Sequence, residues 1–183
     1  IEKTPLTGKS IICIDDKKCF KIARNFPRDF DSTLITISTN SNLKSDFFIE
    51  ENNSEIVITD TKKNSNFKFS KNQSKLKGSH NLINILSCYV ICLILKISNE
   101  SFLSSLTKFK GLQHRFEIFK KFKNIHFIND SKSTNVESSK MALKNLKNTF
   151  WIVGGRKKPG GLRGIYKSLN QVTKAFIYGE SRY

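Results

Sequence analysis

The four cysteines, Cys13, Cys19, Cys88 and Cys92, include no Cys-x-x-Cys pair, and His80, His114 and His126 do not stand at zinc-ligand spacings from them. A structural metal is therefore not expected, and buried free thiols in a reducing cytosol are. No apolar run is long enough to span a bilayer. Residues 82–97, LINILSCYVICLILKI, come nearest, but Asn84 and Lys96 interrupt a stretch that is already short, so a helix buried in a protein core is expected there. Nothing at the N-terminus resembles a signal peptide, and a cytoplasmic protein without a membrane anchor is expected. Internal repeats are absent. So is a complete phosphate-binding P-loop: Gly8-Lys9-Ser10 ends like one, but Lys3 occupies the place of its first glycine and a strand, not a helix, is expected to follow.

Acidic residues are also scarce. Fifteen Asp and Glu against 32 Lys and Arg leave a formal charge of +17 in 183 residues. That excess alone points to nucleic acid or an acidic membrane surface. The lysines, however, are scattered among Asn and Ser and form no block, which favours the reading of solvated surface charge. A hydrophobic content of 38% is enough for a buried core, so most of the chain is expected to be ordered.

Two patterns succeed one another along the chain. Short β-rich runs at 10–14, 33–37, 47–49, 55–59 and 66–69 are separated by polar turns and read as a meander or hairpins, with a helix over 17–24. Helices are expected at 81–97 and 99–109. Beyond Gly111 the pattern becomes strands at 115–119, 125–128, 150–153 and 175–178 with helices at 136–146 and 162–169. This reads as an incomplete parallel, Rossmann-like sheet, so the fold class is α/β with a domain boundary near Lys110, separating 1–110 from 111–183. The start at Ile1 and the stop at Tyr183 read as cuts in a longer gene product.

Three segments hold polar residues that packing does not require. Asn81 and Asn84, at the entry to the first long helix, are three apart and share a helix face; carboxamides there suit a base edge, or else a helix cap and a satisfied core amide. In Gly111-Leu112-Gln113-His114-Arg115-Phe116-Glu117 the bend can aim a guanidinium at phosphate oxygens, the plain alternative being a surface Arg115–Glu117 pair. The third is 128–135, with Asp130, Lys132 and Thr134, together with the glycine-rich basic 154–161, which includes Lys158. Each follows an expected strand and precedes an expected helix, which would put both at the carboxyl edge of one sheet, where α/β folds bind anions.

In this order the residues read Leu76-x-Gly78-x-His80-Asn81-x-x-Asn84, Gly111-Leu112-x-His114-Arg115-x-Glu117, Asn129-Asp130-Ser131-Lys132-x-Thr134-Asn135 and Gly154-Gly155-Arg156-x-Lys158. The series resembles the Mur ligase family, and within it the D-glutamate-adding branch, from about Leu76 to Gly179, with weaker similarity at 11–23. The segment from Asn129 to Asn135 is the most specific, since sister Mur ligases and folylpolyglutamate synthase carry other residues there. Ser133 stands where the branch usually has alanine.

The resemblance implies the end of a central ATP-binding domain over 1–110 and a truncated Rossmann-like C-terminal domain over 111–183. It implies an ATP-dependent ligase of peptidoglycan synthesis joining D-glutamate to UDP-N-acetylmuramoyl-L-alanine through an acyl phosphate. The protein would be a monomer with no specific nucleic-acid partner. Asn81 and Asn84 correspond to adenine-side amides, and Arg115 and Asp130 to a pair that reaches ATP across a cleft. Lys132, Thr134 and Lys158 correspond to groups holding D-glutamate, with Arg115 and Lys132 in the reaction itself; His114 is expected to orient Arg115. The family's P-loop and Mg²⁺ ligands have no counterpart in this chain, so the chain alone is expected to be inactive. The alternatives are another ligase of the superfamily or a basic nucleic-acid-binding protein. The latter would show aromatics interleaved with lysine on an exposed strand, for which Phe67, Lys68 and Phe69 come nearest.

Overall fold

A computed structural model of the chain describes residues 8–26, 34–76, 78–144, 146–156 and 164–182, apart from the side chains of Ser79, His80 and Ser181. The chain forms two compact units, Ile1–Lys110 and Gly111–Tyr183.

The first unit is built on a five-stranded sheet in chain order, β1 (Ser10–Cys13), β2 (Leu34–Ser38), β3 (Phe47–Glu51), β4 (Glu55–Asp60) and β5 (Ser65–Ser70). The first three strands are parallel, and β3 to β5 form an antiparallel meander. No helix follows Gly8-Lys9-Ser10, because β1 begins at Ser10. Side chains alternate across the sheet, so each face has its own core. Ile12, Ile14 and Leu34 pack with Cys19 and Ala23 of α1 (Lys17–Arg24). The larger cluster joins Ile37, Ile49, Ile56, Ile58 and Phe69 to Ile85, Leu86, Tyr89 and Val90 of α2 (Ser79–Ile94) and to Phe102 and Leu106 of α3 (Asn99–Lys108). Phe67 stacks on Tyr89 at 5.0 Å, so Phe67 and Phe69 are core residues and offer no platform for bases.

Local chemistry sets the helix ends. Asp16 caps α1 by accepting from the backbone N–H groups of Lys18 and Cys19. Helix α2 stops three residues before the expected end, since Lys96 takes a left-handed φ of 56° and the N–H of Ile97 returns to the Cys92 carbonyl at 2.8 Å, a Schellman closure. Helix α2 does lie in the core, through Ile85, Leu86, Tyr89 and Val90, with Ile91 and Ile94 exposed on its outer face. One expectation fails here. The thiols are free but not buried, with Cys88 exposed and the other three intermediate, because Cys88 lies on that outer face.

The second unit departs further from expectation. Strands β6 (Glu117–Phe122) and β7 (Ile125–Asn129) pair antiparallel, because only two residues join them and a parallel pair needs a crossover of about a dozen or more. Helix α4 (Val136–Lys144) follows, its N-terminus held by Asn135, whose Oδ1 accepts the Ser138 N–H at 2.9 Å. Strands β8 (Thr149–Gly154) and β9 (Val172–Tyr178) form a separate parallel pair. In place of an α-helix over 162–169, a 3₁₀ turn occupies Tyr166–Gln171, its earlier residues lying outside the described ones. Among the described residues β7 and β8 belong to different sheets, so the loops that follow them do not share one sheet edge. The fold class remains α/β.

Candidate functional site

At the start of α2, Gly78 takes φ 93° and its carbonyl accepts the Asn81 N–H at 2.9 Å. One turn on, the Asn84 Nδ2 donates to Asn81 Oδ1 at 3.3 Å, so the two carboxamides share a face and are coupled. Coupling fixes which end of each amide points outward, which is what reading a base edge requires. Asn84 is exposed, which argues against a satisfied core amide.

The segment from Gly111 to Glu117 is a tight turn with left-handed residues on both sides of Arg115: His114 at φ 64° and Phe116 at φ 49°. A histidine tolerates this region better than most residues; a phenylalanine there is a genuine outlier. Hydrogen bonds from the loop after β7 hold the turn. Asp130 Oδ1 accepts the Phe116 N–H at 2.8 Å, and its Oδ2 accepts the Ser133 hydroxyl. The Lys132 N–H donates to the His114 carbonyl at 3.0 Å, and Asn129 Nδ2 lies 2.8 Å from His114 Nδ1. Within its own turn, the His114 N–H donates to Glu117 Oε2 at 2.8 Å.

The structure therefore brings Arg115, Asp130, Lys132 and Thr134 together as two loops locked into one piece. Arg115 and Lys132 are exposed, and among the described residues neither charged group has a side-chain partner. The expected Arg115–Glu117 surface pair is not formed; Glu117 turns to His114 instead. Asp130 is engaged inside the loop with both oxygens. Ser133, where the resembling ligases usually have alanine, supplies one of its donors. The Asp-x-x-Ser spacing is the sequence signal that could have shown this in advance.

The last predicted group is only partly in view, since Lys158 lies outside the described residues. What is described is the carboxyl end of β8, where Gly154 pairs with Tyr178 and a Cβ on Gly154 would meet the Tyr178 carbonyl oxygen at 2.0 Å. Only glycine fits so close an approach. Arg156 follows, exposed and 4.0 Å from Glu180.

One cluster escaped the sequence reading. At the carboxyl ends of β1 and β2, Asp15 accepts from the Thr39 N–H at 3.0 Å, the Thr39 hydroxyl at 2.6 Å and the Ser38 hydroxyl at 2.5 Å. Burial opposes its charge, but these bonds outweigh it and hold the carboxyl below its usual range. Asp46 is similar: against burial, Lys62 at 2.8 Å and the Thr36 N–H at 2.7 Å lower it. Both tie strands together. Among the described residues no group of three or more His, Cys, Asp or Glu gathers to hold a metal. No described helix is long and apolar enough to cross a membrane.

No family model matches the chain. Curated relatives do. A UDP-N-acetylmuramoylalanine–D-glutamate ligase of Wolbachia (subsp. Brugia malayi) is 40% identical over 116 residues, 63% of this chain and 23% of that protein. The proteins of the same name in Rickettsia prowazekii and Bradyrhizobium diazoefficiens are 34% and 32% identical over 94% and 95% of the chain. The chain spans 37% of the length of each. Among solved structures, MurF of Acinetobacter baumannii aligns with TM-score 0.64 and 16% identity over 95% of this chain and 39% of its own. MurF of Thermotoga maritima, solved with ADP, aligns with TM-score 0.60 and 17% identity over 94% and 40%. These structures speak to fold alone.

Proposed function

Because the chain belongs to the Mur ligase family, we propose that it supplies the adenine-side and D-glutamate-side groups of a cytoplasmic, ATP-dependent UDP-N-acetylmuramoylalanine–D-glutamate ligase of peptidoglycan synthesis. On this reading Ile1–Lys110 is the end of the central ATP-binding domain and Gly111–Tyr183 most of the C-terminal one. The carboxylate of the nucleotide-linked L-alanine attacks the γ-phosphate of ATP. The amine of D-glutamate then displaces phosphate from the acyl phosphate, leaving an amide. Both steps pass through concentrated negative charge, and catalysis consists mainly of positioning and neutralising it.

The observation that carries the reading is the hydrogen-bonded pair of loops, which holds Arg115 and Lys132 exposed, with no anionic side chain paired to either among the described residues. Arg115 would face the phosphates of ATP. Lys132 and Thr134, with Lys158, would hold the two carboxylates of D-glutamate and direct its amine. Asn81 and Asn84 would read the adenine edge. Asp130 serves first by holding the Arg115 turn. Mg²⁺, when bound, would supply charge neutralisation at the phosphates, and its ligands belong to other parts of the ligase.

Kinetics of a full-length ligase carrying this chain, with D-glutamate and ATP varied separately, test the assignment. Lys158→Ala and Lys132→Ala should each raise the KM for D-glutamate roughly 10- to 150-fold, the worth of a charged hydrogen bond in a partly desolvated site. A rise confined to ATP would reassign both lysines to the nucleotide. Changes under about twofold would make them solvated loop residues.

A further inference from the structure

We propose that Asn129 is a positioning residue that acts through His114, its carboxamide holding the imidazole as the Nε2–H tautomer and so clamping the turn that carries Arg115. This rests on the ligase reading for the role of Arg115, but the clamp itself is a property of the ligand-free chain.

The argument starts from the backbone. The Ser131 N–H donates to Asn129 Oδ1 at 3.1 Å, which fixes the orientation of the carboxamide and leaves Nδ2 facing the His114 ring. Nδ2 can only donate. His114 Nδ1, 2.8 Å away, must therefore accept, and the ring proton sits on Nε2. A backbone amide thus sets a side-chain amide, which sets a tautomer. The ring belongs to a residue at φ 64°, next to Arg115, whose other neighbour, Phe116, is at φ 49°. Two left-handed residues in a row of three do not hold themselves in place. On the His114 side, the bonds to the β7 loop are this ring contact and the Lys132 N–H to the His114 carbonyl at 3.0 Å. On the Phe116 side the bond is the one to Asp130. Removing the ring contact leaves the His114 side with a single tie to that loop, and the orientation of Arg115 loosens.

The test uses the ¹⁵N-labelled 183-residue chain without ligands. Long-range ¹H–¹⁵N spectra of the imidazoles are recorded at about pH 8, where an ordinary histidine is neutral, and His114 is assigned with His80→Gln and His126→Gln variants. The parent should show a protonated Nε2 and an unprotonated, hydrogen-bonded Nδ1. Asn129→Asp, which places an acceptor oxygen opposite Nδ1, should move the proton to Nδ1. In Asn129→Leu, exchange of the Lys132 amide should speed roughly 3- to 10-fold while β4 amides keep their rates. His114→Asn tolerates the left-handed backbone but brings no ring, and should reproduce the Asn129→Leu exchange. An Nδ1–H tautomer in the parent overturns the proposal, as do ring nitrogens that ignore Asn129→Asp or an unchanged Lys132 amide. The parent spectrum decides alone if a variant fails to fold. None of these readouts depends on catalysis, so a failed clamp and a failed ligase assignment are distinguishable.

Discussion

The two units put their residues to opposite uses. In Ile1–Lys110 the order comes from burial: eleven buried side chains from the sheet, α2 and α3 form one cluster, with Ile49 and Leu86 at 0% exposure. In Gly111–Tyr183, Leu143 and Ile165 are the buried apolar residues among those described, while Phe119, Phe150 and Ile152 stand 61%, 66% and 75% exposed. Order around Arg115 comes instead from hydrogen bonds between two loops. A core resists local rearrangement, whereas a hydrogen-bonded loop pair can place charged groups at the surface without burying them. The larger buried core thus lies in the first unit, and the hydrogen-bonded support of Arg115 and Lys132 in the second.

The largest effect that tests this division is in the core. Leu86→Ala should destabilise the first unit by about 2 to 5 kcal/mol, through lost burial and the cavity left against the sheet, and denaturant unfolding would read it. If it moved the midpoint no more than a surface substitution does, the division would be wrong. Second, Arg115→Ala in a full-length ligase should lower kcat/KM by roughly 10²-fold, about 2.7 kcal/mol, with the unfolding midpoint unchanged. A variant that lost stability instead would make Arg115 a structural residue.

A smaller effect follows from acid. The carboxyls of Asp15 and Asp46 lie below the ordinary value of 3.8 in the folded chain. A depressed folded pKa means that the unfolded chain binds protons more readily, so the stabilisation is complete above that ordinary value and is lost as pH falls toward the folded one. Acid should therefore loosen the β1–β2 and β2–β3 junctions of the first unit, measurable as faster amide exchange of Thr39 and Thr36 below about pH 4. Asp15→Asn should remove the Thr39 part of this response. Equal protection of Thr39 in parent and variant at every pH would contradict it.

The smallest expected effect concerns the charge of +17. Lys120, Lys121 and Lys123 accompany exposed Phe119, Phe122 and Phe127 on the β6–β7 hairpin. Binding to single-stranded nucleic acid should be weak, indifferent to sequence and steeply reduced by salt. Filter binding across a salt series checks this, and tight binding to one sequence at physiological salt would revive the nucleic-acid reading.

What could be read in advance follows the range of the interactions. Helix α1 begins and ends at Lys17 and Arg24 as its pattern indicates, because Asp16 caps it from one residue away. The β3 to β5 strands lie close to their alternating runs, since the Asn- and Ser-rich turns between them are local. The direction of β7 was misread because alternation is blind to pairing direction, and the connection turns at Lys123, φ 49°, without a glycine to mark it. At the site, residue types and order were legible, but the support was not. His114 and Asn129 are fifteen positions apart, and neither residue type foretells that the two meet. For Asp130, residue type and position suggest a group facing ATP but do not show that its oxygens also accept the Phe116 N–H and the Ser133 hydroxyl.

The central claim, that this chain carries the D-glutamate-side chemistry of a Mur ligase, is tested most directly by transplantation. The chain would replace the matching 176 residues of the Rickettsia prowazekii protein, and amide formation would be measured with ATP, UDP-N-acetylmuramoyl-L-alanine and either enantiomer of glutamate. The account predicts the D-glutamyl product, none with L-glutamate, and on Lys132→Ala a product that forms only at raised D-glutamate concentration. A folded chimaera that binds ATP yet joins no D-glutamate, or joins another amino acid in its place, would contradict it.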